Sequence, residues 1–220
     1  MAKKHRAQLS EAQEDYLKQV WLLAEGGTVS TQALAERMGV QPASVTGMVK
    51  KLARLGLLNY EPYRGVRLTE AGAAVALEVL RHHRLIETYL AEALGYDWDE
   101  VHAEAERLEH HISEAFEARI AEWLGHPERD PHGDPIPAPD LSLPAAGGGR
   151  LSQAVSGRYR LVRVRAQDED TLSLLARLGL VPGVEFSLVE NGPRGARVEL
   201  ATGRFLLPGE LAAALEVEGL

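Results

Sequence analysis

The sequence predicts a mainly α chain that ends in a small β domain: a winged helix-turn-helix, then a helical middle domain, then a β-barrel. Three observations predict it. Apolar residues recur at helical spacing from Leu9 to Leu124 with one short alternating hairpin between; residues 151–220 switch to strand-like alternation punctuated by Gly and Pro; and charge is segregated along the 220 residues. Residues 1–72 hold ten Lys/Arg against seven Asp/Glu, residues 73–140 five against sixteen, and residues 141–220 nine against nine. Seven of the eight histidines fall in the acidic middle segment, so the basic end and the His/carboxylate-rich middle read as separate functional regions. The chain is 45% apolar and 25% charged, the profile of a globular protein with a proper core. It has no cysteine, which excludes disulfides, thiolate zinc, iron-sulfur clusters and cysteine nucleophiles, and leaves oxygen and imidazole to hold any metal. No apolar run reaches about 18 residues, and the Met1–Arg6 start lacks an apolar segment behind it. Neither a membrane span nor a signal peptide is expected, and the cytoplasm is the expected compartment.

The first helix is predicted from Leu9 to Glu25, with Leu9, Ala12, Tyr16, Leu17, Val20, Leu22, Leu23 and Ala24 on its apolar side, Ser10 as N-cap and Gly26-Gly27 as its stop. A short second helix runs from Ser30 or Thr31 to Met38, and Gly39-Val40-Gln41 makes the turn. Pro42 opens the third helix at the position where a missing N–H costs nothing, and Gly56 stops it after Leu55. Residues 57–61 and 66–69 then alternate as two strands joined by Pro62-Tyr63-Arg64-Gly65, the shape of a wing. Small and polar groups at the start of the third helix, Gln41, Pro42, Ala43, Ser44 and Thr46, are suited to approach base edges, with the methyls of Ala43 and Thr46 apt for thymine. Lys50, Lys51 and Arg54 further along, and Arg64 and Arg67 in the wing, are candidates for phosphate contacts that set register.

A long helix is predicted from Glu70 to about Ala93, with His83 and Glu87 four residues apart on one face, where an imidazole and a carboxylate can share a metal. After the Gly95-Tyr96-Asp97 break, the next helix is predicted from Asp99 to about Leu124. On it His102, Glu106, Glu109 and His110 fall within an arc of about 100°, so four potential ligands line one stripe. Burying such a stripe without a counter-ion would desolvate two carboxylates together, a conflict that a divalent cation resolves. Asp15 on the first helix is a further candidate beside Glu106, Glu109 and His110, while His83, Glu87 and His102 make a second cluster. Leu108, Ile112, Ala115, Phe116, Ile120, Trp123 and Leu124 form an adjacent apolar stripe, wide enough for core and subunit interface together.

Residues 80–87 (Leu-Arg-His-His-Arg-Leu-Ile-Glu), residues 101–110 (Val-His-Ala-Glu-Ala-Glu-Arg-Leu-Glu-His) and residues 131–137 (Pro-His-Gly-Asp-Pro-Ile-Pro), following a winged helix, resemble the diphtheria-toxin-repressor family of metal-dependent transcription factors over essentially the whole chain. The resemblance implies a homodimer in which a divalent metal in the middle domain lets the winged helices bind palindromic operator DNA near metal-uptake genes. It also implies two metal sites: His83, Glu87 and His102 in one, and Glu106, Glu109, His110 and Asp15 in the other. Iron-responsive members carry sulfur ligands where this chain has Glu106 and Asp15, whereas the manganese branch uses carboxylates, so Mn²⁺ is expected, with Fe²⁺ as the alternative and Zn²⁺, Co²⁺ or Cd²⁺ able to substitute in vitro. Lys18 stands where that branch has another glutamate, and His102 resembles the iron type, so the site is a hybrid.

Residues 141–150, with Pro144 and glycines 147–149, read as a flexible linker. Strands are then predicted at 159–164, 184–189, 196–200 and 204–207, with a helix at 171–178. Residues 175–183 (Leu-Ala-Arg-Leu-Gly-Leu-Val-Pro-Gly) resemble the SH3-like, FeoA-type domain that ends the longer family members, in which an acidic or amide side chain can join the first metal site; Asp168, Glu169 or Asp170 lies in that neighbourhood. The expected domains are therefore 1–72 for DNA binding, 73–140 for metal and dimerisation, 141–150 as linker and 151–220 as the SH3-like domain. The expected function is a manganese-dependent regulator with no enzymatic activity, no membrane and no small-molecule substrate. The alternatives are a metallohydrolase built on the His/Glu cluster and a DNA-binding protein indifferent to metal.

Overall fold

The computed structural model describes residues 9–24, 27–145, 147–166 and 168–220; Met1–Arg6, Glu25, Gly26 and Ala146 of the expectations above lie outside them. The chain forms two units, one of Met1–His82 with Pro139–Ser142, the other of His83–Ala138 with Leu143–Leu220.

In the first unit, α1 (Glu11–Ala24) starts as expected at Ser10, whose N–H donates to Gln13 Oε1 at 3.1 Å, half of a capping box. Helix α2 (Thr31–Met38) is capped by Ser30, which accepts from the Ala33 N–H, and closed by Gly39 at φ 63°, a left-handed turn that suits glycine. Helix α3 (Pro42–Arg54) has Pro at its start and buries Val45, Val49 and Leu52, one stripe of an amphipathic helix. Strands β1 (Leu58–Glu61) and β2 (Gly65–Leu68) pair antiparallel with Leu58 opposite Leu68, forming the wing. Reciprocal hydrogen bonds between Val29 and Val66, 2.9 and 2.8 Å, tie the wing to the segment before α2. Leu17, Val20, Leu34, Val45, Val49, Leu52, Leu57 and Val66 form a continuous core, so the predicted winged helix-turn-helix is realised.

Helix α4 (Glu70–Leu94) follows directly. Thr69 Oγ1 donates to Gly56 O at 2.8 Å and accepts the Gly72 N–H at 3.1 Å, and a Cβ at Gly72 would fall 2.0 Å from Leu57 O, so the helix can start here only with glycine at that position.

The second unit begins inside α4. The single helix expected from Asp99 to about Leu124 is two: α5 (Val101–Leu108) and α6 (Glu114–Trp123). The chain leaves helix at Glu109 and re-enters at Ser113, whose hydroxyl accepts the Phe116 N–H at 3.2 Å. A Ser cap and an intervening His-His-Ile run of weak helix formers outweigh the periodicity. The expected apolar stripe is divided with it: Ile120 is buried, while Leu108, Phe116 and Trp123 are exposed. Two small apolar clusters flank α4, one of Leu85, Ile120, Ala121 and Ile136, the other of Ile86, Leu90, Val101 and Ala105.

The β domain is a six-stranded antiparallel sheet in the order β3-β8-β4-β5-β6-β7, comprising β3 (Gly149–Arg150), β4 (Gly157–Val164), β5 (Glu185–Gly192), β6 (Gly195–Leu200), β7 (Gly203–Leu207) and β8 (Leu215–Gly219). Helices α7 (Glu169–Leu178) and α8 (Gly209–Ala214) complete it. Strand β8 was not expected, yet it alternates: Leu215 and Val217 are buried and Glu218 is exposed. The end of the expected linker is strand β3, paired with β8. Leu161, Val164, Leu172, Leu175, Phe186, Val198 and Leu215 form the core, with Trp98 packed against it.

Candidate metal centre

Buried ionisable groups, not apolar side chains, dominate the middle of the second unit. Successive turns of α4 put His83 and Glu87 on one face, and the His83 Nε2–Glu87 Oε1 distance is 2.9 Å. On α5, His102 Nδ1 lies 2.9 Å from the same Glu87 oxygen and 3.1 Å from His83 Nε2. His83 Nδ1 meets Glu109 Oε2 at 2.5 Å, just beyond the end of α5. His102 Nε2 lies 3.8 Å from Glu106 Oε1, and His110 Nε2 3.3 Å from Glu109 Oε1.

A third segment enters from the loop between α6 and the β domain. Its ends are pinned by the Arg129–Pro135 bridge, and Asp130 Oδ1 accepts the N–H groups of His132 and Asp134, both at 2.9 Å. His132 Nε2 donates to Trp98 O at 3.0 Å, and its Nδ1, 3.8 Å from Glu87 Oε1, has no hydrogen-bond partner among the described residues. Glu87, Asp130 and His132, all buried, each place a donor atom within 4.8 Å of the others; His83, His102 and Glu106 do the same.

The electrostatics follow from crowding carboxylates in a dry place. Burial opposes charge on His83, but Glu87 and Glu109 outweigh it and raise its pKa to about 10. Burial likewise opposes charge on His132, yet Glu87 and Asp130 push it up. For Glu87, burial would raise the pKa, but the charge of His83 and the imidazoles of His102 and His132 hold it well below the carboxylate range. Burial, reinforced by Glu87 and Asp134, lifts Asp130 well above that range despite Arg84 and His132. The proton on His83 thus occupies the place of positive charge. Two buried atoms here, Asp130 Oδ2 and His132 Nδ1, have no hydrogen-bond partner among the described residues. Orphaned donor atoms of that kind, with only oxygen and imidazole around them, fit a divalent cation.

His83, Glu87 and His102 come together as expected. Glu106 falls beside His83 and His102, and Glu109, the C-cap of α5, meets the other nitrogen of His83. Asp15 is on α1 in the first unit. Asp168 serves as the N-cap of α7, accepting the Thr171 N–H at 2.9 Å; neither it nor the exposed Glu169 is in a converging group among the described residues. Asp130 and His132 were not expected as ligands. Their signal was the Asp-Pro-His-Gly-Asp-Pro run, ionisable groups fixed between two prolines.

In the first unit, Gln41, Pro42, Ala43, Ser44, Lys50, Lys51, Arg54, Arg64 and Arg67 are exposed and Thr46 half-buried. Gln41 makes no capping bond with its side chain, Arg67 Nε donates to Thr28 Oγ1 at 2.5 Å, and Arg64 pairs with Glu61 at 3.2 Å.

Comparison with known proteins matches three family domains along the chain. Residues 8–66 match the N-terminal DNA-binding domain of iron-dependent repressors, residues 69–138 their metal-binding and dimerisation domain, and residues 150–219 the FeoA domain. The iron-dependent repressor IdeR of Mycobacterium leprae is 37% identical over 226 residues, covering 96% of this chain and 98% of its own. The diphtheria toxin repressor of Corynebacterium efficiens is 32% identical over 226 residues, covering 96% of each. A manganese-dependent transcriptional repressor solved with manganese superposes with a TM-score of 0.86 at 36% identity, covering 94% of this chain and 100% of that one. No helix of the described residues is long and apolar enough to cross a membrane. With a winged helix-turn-helix, a buried oxygen and imidazole cluster and an FeoA-type sheet in family order, the chain belongs to the diphtheria-toxin-repressor family of metal-dependent transcriptional repressors.

Proposed function

We propose that the chain is a manganese-activated repressor that binds palindromic operator DNA as a homodimer in the cytoplasm and controls metal-uptake genes. The observation that carries the metal assignment is the convergence of Glu87, Asp130 and His132, with Asp130 Oδ2 and His132 Nδ1 buried and without hydrogen-bond partners. The carboxylates are hard donors, the imidazoles borderline, and there is no sulfur, a set that suits Mn²⁺ better than a thiolate set would and keeps Fe²⁺ as the alternative. His83, His102 and Glu106 make an adjoining donor group, and the Glu109–His110 pair offers further donors. A divalent cation held there would supply the positive charge that lets Glu87 and Asp130 be ionised together and His83 be neutral.

The residues then do the rest. Helix α4 carries Gly72, packed on the wing-side Leu57, and His83 and Glu87 eleven and fifteen residues on, so the proposed ligands and the support of the wing share one helix. Ligation shifts the DNA-competent population only by its preference for that arrangement, so the metal-free protein should bind operator weakly but measurably. Gln41, Pro42, Ala43, Ser44 and Thr46 would face bases; Lys50, Lys51, Arg54, Arg64 and Arg67 would hold phosphates. Exposed Phe116 and Trp123 of α6 support a subunit interface there. Membership of a repressor family sets the hydrolase alternative aside.

The test is a pull-down of genomic fragments at fixed salt with Mn²⁺, Fe²⁺ or excess chelator. Recovery of a few palindromic upstream fragments with Mn²⁺ alone is expected. Equal recovery with chelator would refute metal control, and recovery only with Fe²⁺ would refute the choice of metal.

A further inference from the structure

Strand β4 slips register against β8 between Leu161 and Arg163, leaving Val162 as the extra residue. Such a bulge re-aims the side chains beside it, and here both effects meet the 130–134 loop. Val162 O sits 2.1 Å from where a Cβ at residue 133 would stand, and Gly133 has φ +85°, so only glycine lets the loop lie flat on the bulge. Arg163 Nη2 pairs with Asp134 Oδ1, and the same oxygen lies 3.4 Å from Arg84 Nη2 on α4. Arg84 also donates to Pro135 O at 2.6 Å and stands 3.7 Å from Asp130 Oδ2. Arg163 is itself steadied by Glu216 of β8 at 3.6 Å, and the Val164 N–H donates to His132 O at 2.8 Å. The loop bearing Asp130 and His132 is therefore gripped between α4 and β4, by an ion pair on one side and a backbone bond on the other.

We propose that Arg163 is a positioning residue for the metal centre: through Asp134 the β domain sets where Asp130 and His132 stand, so that seating of that domain and occupancy of the metal site strengthen each other. This rests on the reading that Asp130 and His132 hold the metal. Coupling of this kind is reciprocal, so whatever loosens the seat lowers metal affinity, and metal tightens the seat.

The test is titration of the full chain with Mn²⁺, following free Mn²⁺ by electron paramagnetic resonance. Residues that orient ligands without touching the metal typically contribute roughly 10–100-fold. Arg163→Met should weaken Mn²⁺ binding about tenfold, at the lower end of that range. Arg163→Lys should recover part of it, and Asp134→Asn combined with Arg163→Met should be no weaker than the poorer single variant, since both remove one link. Arg160→Met removes a different ion pair of the same strand, to Glu185 at 3.0 Å, and should leave Mn²⁺ affinity unchanged. The indole N–H of Trp98, which donates to Pro131 O at 2.9 Å, reports the loop by NMR: Arg163→Met should shift it, and the diamagnetic surrogate Cd²⁺ should draw it back. Wild-type affinity in a folded Arg163→Met protein, or an equal loss in Arg160→Met, overturns the proposal; should Arg163→Met not fold, wild-type affinity in Asp134→Asn does the same. His132→Ala separates the two readings. Unchanged binding in it refutes the metal site itself, whereas loss in it alongside wild-type binding in Arg163→Met refutes only the coupling.

Discussion

Raising the pH should tighten metal binding, and the structure says by how much. In the metal-free protein His83 is buried between Glu87 Oε1 at 2.9 Å and Glu109 Oε2 at 2.5 Å, and its pKa is about 10. That proton must leave before the ring can donate an electron pair. At pH 7 the site sits three units below this pKa, so proton removal costs roughly 4 kcal/mol of the intrinsic metal affinity. Apparent Mn²⁺ affinity should therefore rise at least tenfold per pH unit between pH 6.5 and 8. The sign is opposite for the metal-free fold: a pKa raised from the usual 6.5 adds stability that is complete below that value and fades as pH climbs towards 10. Isothermal titration calorimetry in two buffers of different ionisation enthalpy measures both affinity and proton count, and at least one proton released per Mn²⁺ is expected at pH 7.5. Affinity that stays flat over this range, with buffer-independent heats, would show that His83 is neutral beforehand or is not a ligand.

Three further outcomes are expected. Gly65→Ala would drive a Cβ to within 2.3 Å of Val29 O at φ +105°, so it should destabilise the first unit by about 1–3 kcal/mol in thermal melts and abolish operator binding while Mn²⁺ titration is unchanged. Lys50→Ala and Arg54→Ala, each removing one exposed cation of α3 per subunit and so two per dimer, should lower the slope of log affinity against log salt by about two apiece on any DNA sequence; slopes equal to wild type would remove them from the phosphate contacts. Glu106→Ala or His110→Ala should weaken Mn²⁺-dependent operator binding in a mobility shift without lowering the melting temperature of the metal-free chain, and full Mn²⁺ activation in both would sink their assignment.

The first unit was legible almost residue by residue. Ser30, Gly39 and Pro42 act within a turn of their own positions, so cap, turn and helix start follow from neighbours in sequence. The wing could be placed because its strands are separated by a tight turn and pair locally. The same reasoning overran at Asp99–Leu124, where periodicity extended a helix that Ser113 in fact restarts, and it left β8 unassigned because its partners β3 and β4 are distant in sequence.

The metal cluster divides the same way. His83 and Glu87 share a helix, and helical geometry alone puts an imidazole beside a carboxylate one turn on. Family, domain order and this half of the proposed ligand set are thus written in local spacing. Asp130 and His132 reach Glu87 across more than forty residues, and Arg163 reaches Asp134 from another domain's strand. Such partners are chosen by the tertiary fold, since the burial that strips water from those charges, and so demands a cation or a counter-ion, exists only once α4, the 130–134 loop and β4 have packed together.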